Sequence, residues 1–148
     1  KKYSLINESF FKKGFVPKDV IVPGFTETGF GGLCFNAKLI SKMDANLQSM
    51  KINKAYFDYD KIGPNLKVRF FRPGDRFIPL GMKGTKKLKS FFIDEKIPRS
   101  QRKAVPLLTS KNGDIIWVYE KRIGEKYKVT DKSTSVLLIE GSVIQNIL

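Results

Sequence analysis

Between Lys61 and Lys103 the chain carries 13 Lys or Arg but only three acids, Asp75, Asp94 and Glu95. Three carboxylates cannot pair 13 cations. Any fold of this segment therefore has to leave most of those side chains in solvent while its apolar residues turn inward. The segment's net charge of +10 is most of the chain's +14. Cationic charge gathered into under a third of the residues is the footprint of a polyanion partner rather than a solubility device.

At 148 residues the chain suits one compact domain, with room for a smaller lobe at one end. A hydrophobic share of 41%, with 12% aromatic, is ample for a packed core. No apolar run approaches the ~20 residues of a membrane span. Lys1-Lys2 is followed by YSLINESFF, which has neither the clean apolar segment nor the cleavage site of a signal peptide. The lone Cys34 fits a reducing cytoplasm, and its place in Leu33-Cys34-Phe35 marks it as a buried small hydrophobe. The chain opens at Lys1 without Met and reads as a piece excised from something larger.

The means for chemistry are sparse. The chain has no histidine, the commonest general base and metal ligand, and one cysteine cannot build a thiolate zinc site. Neither G-x-x-x-x-G-K-[ST] nor G-x-G-x-x-G occurs. Thr28-Gly29-Phe30-Gly31-Gly32 reads instead as a hairpin turn or bulge. Asp58 and Asp60, two apart in AYFDYDKI, would share a face of a strand and are expected as a solvated edge beside Lys61. These features argue against an enzyme confined to these residues; catalytic residues and metal ligands are expected to be none.

Short apolar runs broken by Gly and Pro (Phe15-Val16-Pro17, Val20 to Gly24, Phe35 to Ile40) predict strands of a sheet or sandwich in the N-terminal third. Residues 43–54 are polar and irregular, and a second β-rich part starts near Ala55. Leu66, Val68 and Phe70 alternate with Lys67 and Arg69, predicting a strand with one apolar and one basic face. Pro73-Gly74-Asp75 is a turn. From Lys86 to Lys96 the period becomes helical, with Leu88, Phe91 and Phe92 inward, Thr85 as N-cap and Ile97-Pro98 as terminator. A short helix at 100–104 is followed by strands at 107–110 and 114–119 around the turn dipeptide Asn112-Gly113. Val129 and residues 136–139 predict further strands.

The predicted helix has its bases first and its acids last, against the helix dipole. That order suits a phosphate seated at the N-terminus on free amides from Gly84 to Lys87. Arg72, Arg76, Arg99, Arg102 and Lys103 flank it, and the guanidinium fork matches phosphate oxygens and base edges. Asp75 is read as orienting a guanidinium. Among the interleaved aromatics, Phe91 and Phe92 are core, whereas Phe71 and Phe77 beside the turn are the stacking candidates. Gly81-Met82-Lys83-Gly84 has the G-x-x-G form that clamps a nucleic-acid backbone, though in unmatched β-rich surroundings.

The string RPGDRFIPLGMKGTKKLKSFFIDEKIPRSQRKAVPLL, continued by NGDIIWVYEKRI and KVT and preceded by AYFDYDKI, closely resembles the C-terminal domain of tRNA(Ile)-lysidine synthetase, the TilS family. The likeness is collinear from about Ala55 through Ile139; upstream, only the surroundings of Val22-Pro23-Gly24 look loosely similar. The resemblance implies a part of an ATP-dependent carbon–nitrogen ligase that joins lysine to the wobble cytidine of tRNA(Ile). It further implies that the S-G-G-x-D-S loop and the sites for ATP, Mg and lysine lie in a catalytic domain absent from this chain, which would be inactive alone and hold no cofactor. The family's C-terminal domain grips tRNA, chiefly at the acceptor stem, and resembles a domain of the phenylalanyl-tRNA synthetase β subunit. The implied fold is α+β but mainly β, a β-sandwich core of unusual topology with a few short helices.

Residues 55–148 are thus expected to form the tRNA-binding domain, with 1–54 a β-rich N-terminal lobe or a lead-in of the same domain. The expected tRNA contacts are Arg72, Arg76, Lys83, Lys86, Lys87, Lys89, Arg99, Arg102 and Lys103, on loops shaped by Pro73, Gly74, Gly81 and Gly84. Expected partners are tRNA(Ile) and the enzyme's own catalytic domain, in the cytoplasm and without a membrane; homodimerisation stays open. The alternatives are a stand-alone basic RNA-binding module, a protein–protein docking module using the basic face, and a hydrolase built on Asp58 and Asp60.

Overall fold

Alternating apolar residues set up the two longest strands in the computed structural model, which describes residues 16–144. Strand β3 (Leu33–Ser41) runs antiparallel to β11 (Ser135–Val143) over nine residues, from Ser41 opposite Ser135 to Leu33 opposite Val143. Leu33, Phe35 and Ala37 on β3 and Leu137 and Ile139 on β11 face one core. With β2 (Gly24–Glu27) and β4 (Lys54–Asp58) they make a four-stranded antiparallel sheet in the order β2-β3-β11-β4.

A second antiparallel sheet has the order β1-β5-β8-β9-β10. Its members are β1 (Lys18–Val20), β5 (Leu66–Arg69), β8 (Leu107–Thr109), β9 (Ile115–Val118) and β10 (Arg122–Ile123). The fold is accordingly mainly β, two sheets packed around one core. The described N-terminal strands are integral to both sheets, since β1 pairs with β5 and β3 with β11.

Strands β8 and β9 are buried on both faces, which divides the apolar residues between two clusters. Leu108, Ile116 and Trp117 join the core between the sheets, where Trp117 meets Phe57 with ring centroids 5.6 Å apart. The ladder shifts register between Leu108 and Thr109, passing over Ile116, and so Ile116 and Trp117 serve the same core. Leu107, Ile115 and Val118 face the other way, into a smaller cluster with Phe77, Leu88, Phe91, Phe92, Ile97 and Val105. That outer cluster carries helix α2 (Leu88–Asp94), which follows α1 (Tyr59–Ile62) in the chain and precedes α3 (Arg99–Arg102). The third layer is therefore small, and its helices are short.

Several expectations change here. The helix spans Leu88–Asp94 rather than 86–96, and Thr85 does not cap it. Lys86 and Lys87 form instead a two-residue strand, β7, against β6 (Arg76–Phe77), because burying both Phe77 and Leu88 draws the two segments together. The helix ends before Ile97-Pro98 in a Schellman motif. The Ile97 N–H donates to Phe92 O (3.0 Å) and the Lys96 N–H to Ile93 O (3.0 Å), with Lys96 left-handed at φ 57°. No strand forms at Val129. Asp58 is not a solvated edge: it is 4% exposed, caps α1 by accepting from the Asp60 N–H (3.1 Å), and accepts the Ser133 hydroxyl (2.8 Å). The turn at 29–32, the Asn112-Gly113 hairpin and the buried Cys34 are as expected. Burial, with the Glu27 charge adding, raises the Cys34 thiol pKa. Phe15 lies outside the described residues.

One glycine is dictated by the meeting of the sheets. Gly141 stands opposite Phe35 on β3, and the Tyr119 ring lies against both, 5.1 Å from the Phe35 centroid. A Cβ on Gly141 would fall 2.0 Å from the Tyr119 Oη. Gly141→Ala is expected to destabilise the fold by about 1–3 kcal/mol, because the fully buried ring must shift. Urea unfolding measures this, and an unchanged midpoint would contradict the packing.

Candidate nucleic-acid interface

The segment that leads from β5 to α2 is held by a buried ion pair. Arg69, expected on an exposed basic face, is 7% exposed. Its Nη1 and Nη2 donate to the two carboxylate oxygens of Asp75, each at 2.9 Å, and Nη1 also donates to Phe70 O at 2.9 Å. Asp75 does orient a guanidinium, but one six residues upstream and neither of its sequence neighbours. The Arg72 N–H donates to Asp75 Oδ2 (2.8 Å), and the Asp75 N–H closes the turn onto Arg72 O (3.1 Å), with Gly74 left-handed at φ 91°. The Asp75 carbonyl then accepts the Leu88 N–H (2.9 Å), fixing where α2 begins.

Beside this turn lies a groove of about 520 Å³. Phe71, Pro73, Gly74 and Asp75 line one part of it; Lys87, Lys89 and Phe92 line another; Arg99, Arg102 and Lys103 complete it. Phe71 is half-buried and packs on Phe92 with ring centroids 6.1 Å apart. Arg102 Nε donates to Ile97 O (2.9 Å), so that side chain is held in place by one nitrogen.

The acids of the segment are all taken elsewhere. Asp75 pairs with Arg69, Asp94 with Lys86, and Glu95 with Arg122 (3.4 Å). Among the described residues, no carboxylate lies within ion-pair distance of Lys87, Lys89, Arg99, Arg102 or Lys103. Asp75 is itself a groove residue, but both of its oxygens are engaged. The groove is thus cationic with an aromatic part, and its field is not cancelled from within.

Five of the nine expected contact residues meet at this groove. Arg72 is exposed between two of its lining residues. Arg76 lines a separate crevice with Phe77 and Tyr127. There, burial and a hydrogen bond to Asp114 (2.6 Å) push the Tyr127 phenol up to about 12. Lys86 is bound to Asp94, and Lys83 sits exposed on the loop that joins β6 to β7. That loop is tethered by the Gly81 N–H, which donates to Glu125 Oε1 (2.9 Å). Lys128 and this amide hold the Glu125 carboxyl below the usual carboxylate range. Phe77, expected as a stacking platform, is instead buried edge-on to Phe91 at 5.1 Å.

The idea of a phosphate on free amides at the helix start does not survive. The helix has seven residues, its first amide is bonded to Asp75 O, and Lys86 and Lys87 belong to a ladder. Sequence reasoning missed the role of Arg69, whose signal was its short spacing from Asp75 across a Pro-Gly turn, whereas Phe92, expected in the core, is buried there and also lines the groove.

The TilS substrate C-terminal domain family matches residues 66–139, half of the chain. The chain belongs to that family. The matched interval holds the Arg69–Asp75 pair and every lining residue of the groove. The tRNA(Ile)-lysidine synthase of Caldanaerobacter subterraneus subsp. tengcongensis is 53% identical over 85 residues, 57% of this chain and 18% of that protein. The enzyme of the same name from Clostridium tetani is 41% identical over 103 residues, 70% of this chain and 22% of that protein. The aligned parts thus span about a fifth of these relatives' length. A crystal structure of a TilS C-terminal domain superposes with a TM-score of 0.68 at 24% identity, covering 84% of this chain and 93% of that one. This last likeness is one of fold.

Removing one partner of the buried pair leaves the other charge uncompensated. Asp75→Ala is expected to cost about 3–5 kcal/mol in chemical denaturation, and Arg69→Met with Asp75→Ala less than the two single losses combined. Additive losses in that double-mutant cycle would contradict a direct interaction between the two groups.

Proposed function

We propose that this chain is the tRNA-docking part of a tRNA(Ile)-lysidine synthase, holding the acceptor stem while a catalytic domain elsewhere in the enzyme joins lysine to the wobble cytidine. The observation that carries this reading is the set of five groove cations left without carboxylate partners among the described residues, while the three acids of the same segment are engaged by other residues. Cations in that state favour a phosphate backbone, whose binding releases counterions. The relatives' name supplies the tRNA class.

The chain's role is to position RNA: phosphate contacts set register and orientation without reading bases directly. ATP, Mg and lysine bind at the catalytic domain, and the chain alone is inactive. The described part of residues 1–54 acts as a lead-in of the same domain, because its strands complete both sheets. The working compartment is the cytoplasm, and the partners are tRNA(Ile) and the catalytic domain.

Salt dependence tests the reading. In a salt titration of tRNA binding, Lys87→Gln and Lys103→Gln should each lower the magnitude of the log–log slope by about 0.7–0.9 and weaken binding at every salt concentration. Lys38→Gln, at an exposed position on β3, should change neither. Unchanged slope and affinity in the Lys87/Lys103 double variant would defeat the assignment.

A further inference from the structure

The groove has a feature that duplex docking does not use. Helical RNA presents its phosphates outward, and a flat or convex cationic surface is enough to follow them. This chain has instead a concavity of about 520 Å³, of the size of a small-ligand pocket, lined by a partly accessible aromatic ring together with cations. Phe71 is the accessible ring, half-buried where Phe92 beside it is 1% exposed. The same groove is lined by Arg99 and Arg102 of α3 and by Lys103, the residue after it. An apolar ring and guanidinium forks in one small concavity match the two halves of a nucleotide, its base and its phosphate.

Resting on the RNA-docking reading above, we propose that the groove receives one unpaired nucleotide from a single-stranded overhang at the end of a duplex. Its base lies against Phe71, and its phosphate is held by Arg99, Arg102 and Lys103. Charge complementarity selects the phosphate. Asp75, the acid in the groove, does not oppose it, because Arg69 and the Arg72 amide occupy its oxygens. An overhang is favoured over a paired or bulged internal nucleotide because it enters without the cost of unstacking a base from the helix. The exposed Arg72 beside the groove is then free for the adjoining duplex backbone.

The test uses this chain with three RNA hairpins of equal stem: one with a single-stranded overhang, one blunt, and one blunt with an internal bulge. Fluorescence anisotropy reads the affinity. Phe71→Ala should weaken binding of the overhang hairpin by about 5- to 160-fold, the range of one lost base stack, and leave the other two unchanged; Phe71→Tyr should retain all three. Phe71→Trp adds a reading that requires no truncation, since the chain's single native tryptophan, Trp117, is buried. Its emission should be quenched by the overhang hairpin alone. Equal loss on all hairpins, or none, together with no selective quenching, overturns the nucleotide pocket. A bulge-selective effect overturns the overhang. Docking itself fails by a separate result: neutralising Lys87 and Lys89 would leave the binding of every hairpin intact.

Discussion

The Arg69–Asp75 pair is the constraint on which the basic surface depends. A buried charge is tolerated only with good geometry and its remaining hydrogen bonds filled. Here the contact is bidentate, with the Phe70 carbonyl and the Arg72 amide completing it. The pair closes the Pro73-Gly74 turn, and the Asp75 carbonyl sets the first residue of α2. It also removes from circulation the acid best placed to neutralise the groove. One interaction thus shapes the concavity and preserves its charge.

The rest of the fold supplies rigidity to that arrangement. The central strands β8 and β9 are buried on both faces, so the sandwich core and the outer cluster share a wall. Helix α2 has only seven residues, too few to be stable from propensity alone, and it persists because Leu88, Phe91 and Phe92 are buried against that wall. Lys87 and Lys89 then leave the helix start on the solvent side, and Ile97 anchors the turn into α3 with its arginines. Apolar residues interleaved with bases are how one short segment both packs and presents charge.

Local rules made some of this legible in the sequence. The apolar face of α2, the glycine turn before β3 and the Asn112-Gly113 hairpin follow from periodicity and from residues that permit special backbone angles. What stayed hidden depended on partners. Strand alternation put Arg69 in solvent, and only the Asp75 carboxylate, brought round by a turn, makes its burial affordable. Asp58 is buried because Ser133, 75 positions later, supplies a hydroxyl. Lys86 and Lys87 looked helical, with Thr85 as cap, until the pairing of β6 with β7 claimed them. Of the basic residues, composition could name the set but not the subset that converges. Lys86 and Arg76 are adjacent to groove residues in sequence, or paired with one, yet serve other contacts.

RNA is proposed to meet the chain at this groove. Amide chemical-shift mapping during a tRNA titration addresses it without altering any residue. The largest changes are predicted at 71–75, 87–92 and 99–103, with Asn36, Lys38 and Glu140 on the exposed face of the β3–β11 pair unmoved. Saturable perturbation confined to that sheet face, with the groove amides silent, would contradict the account.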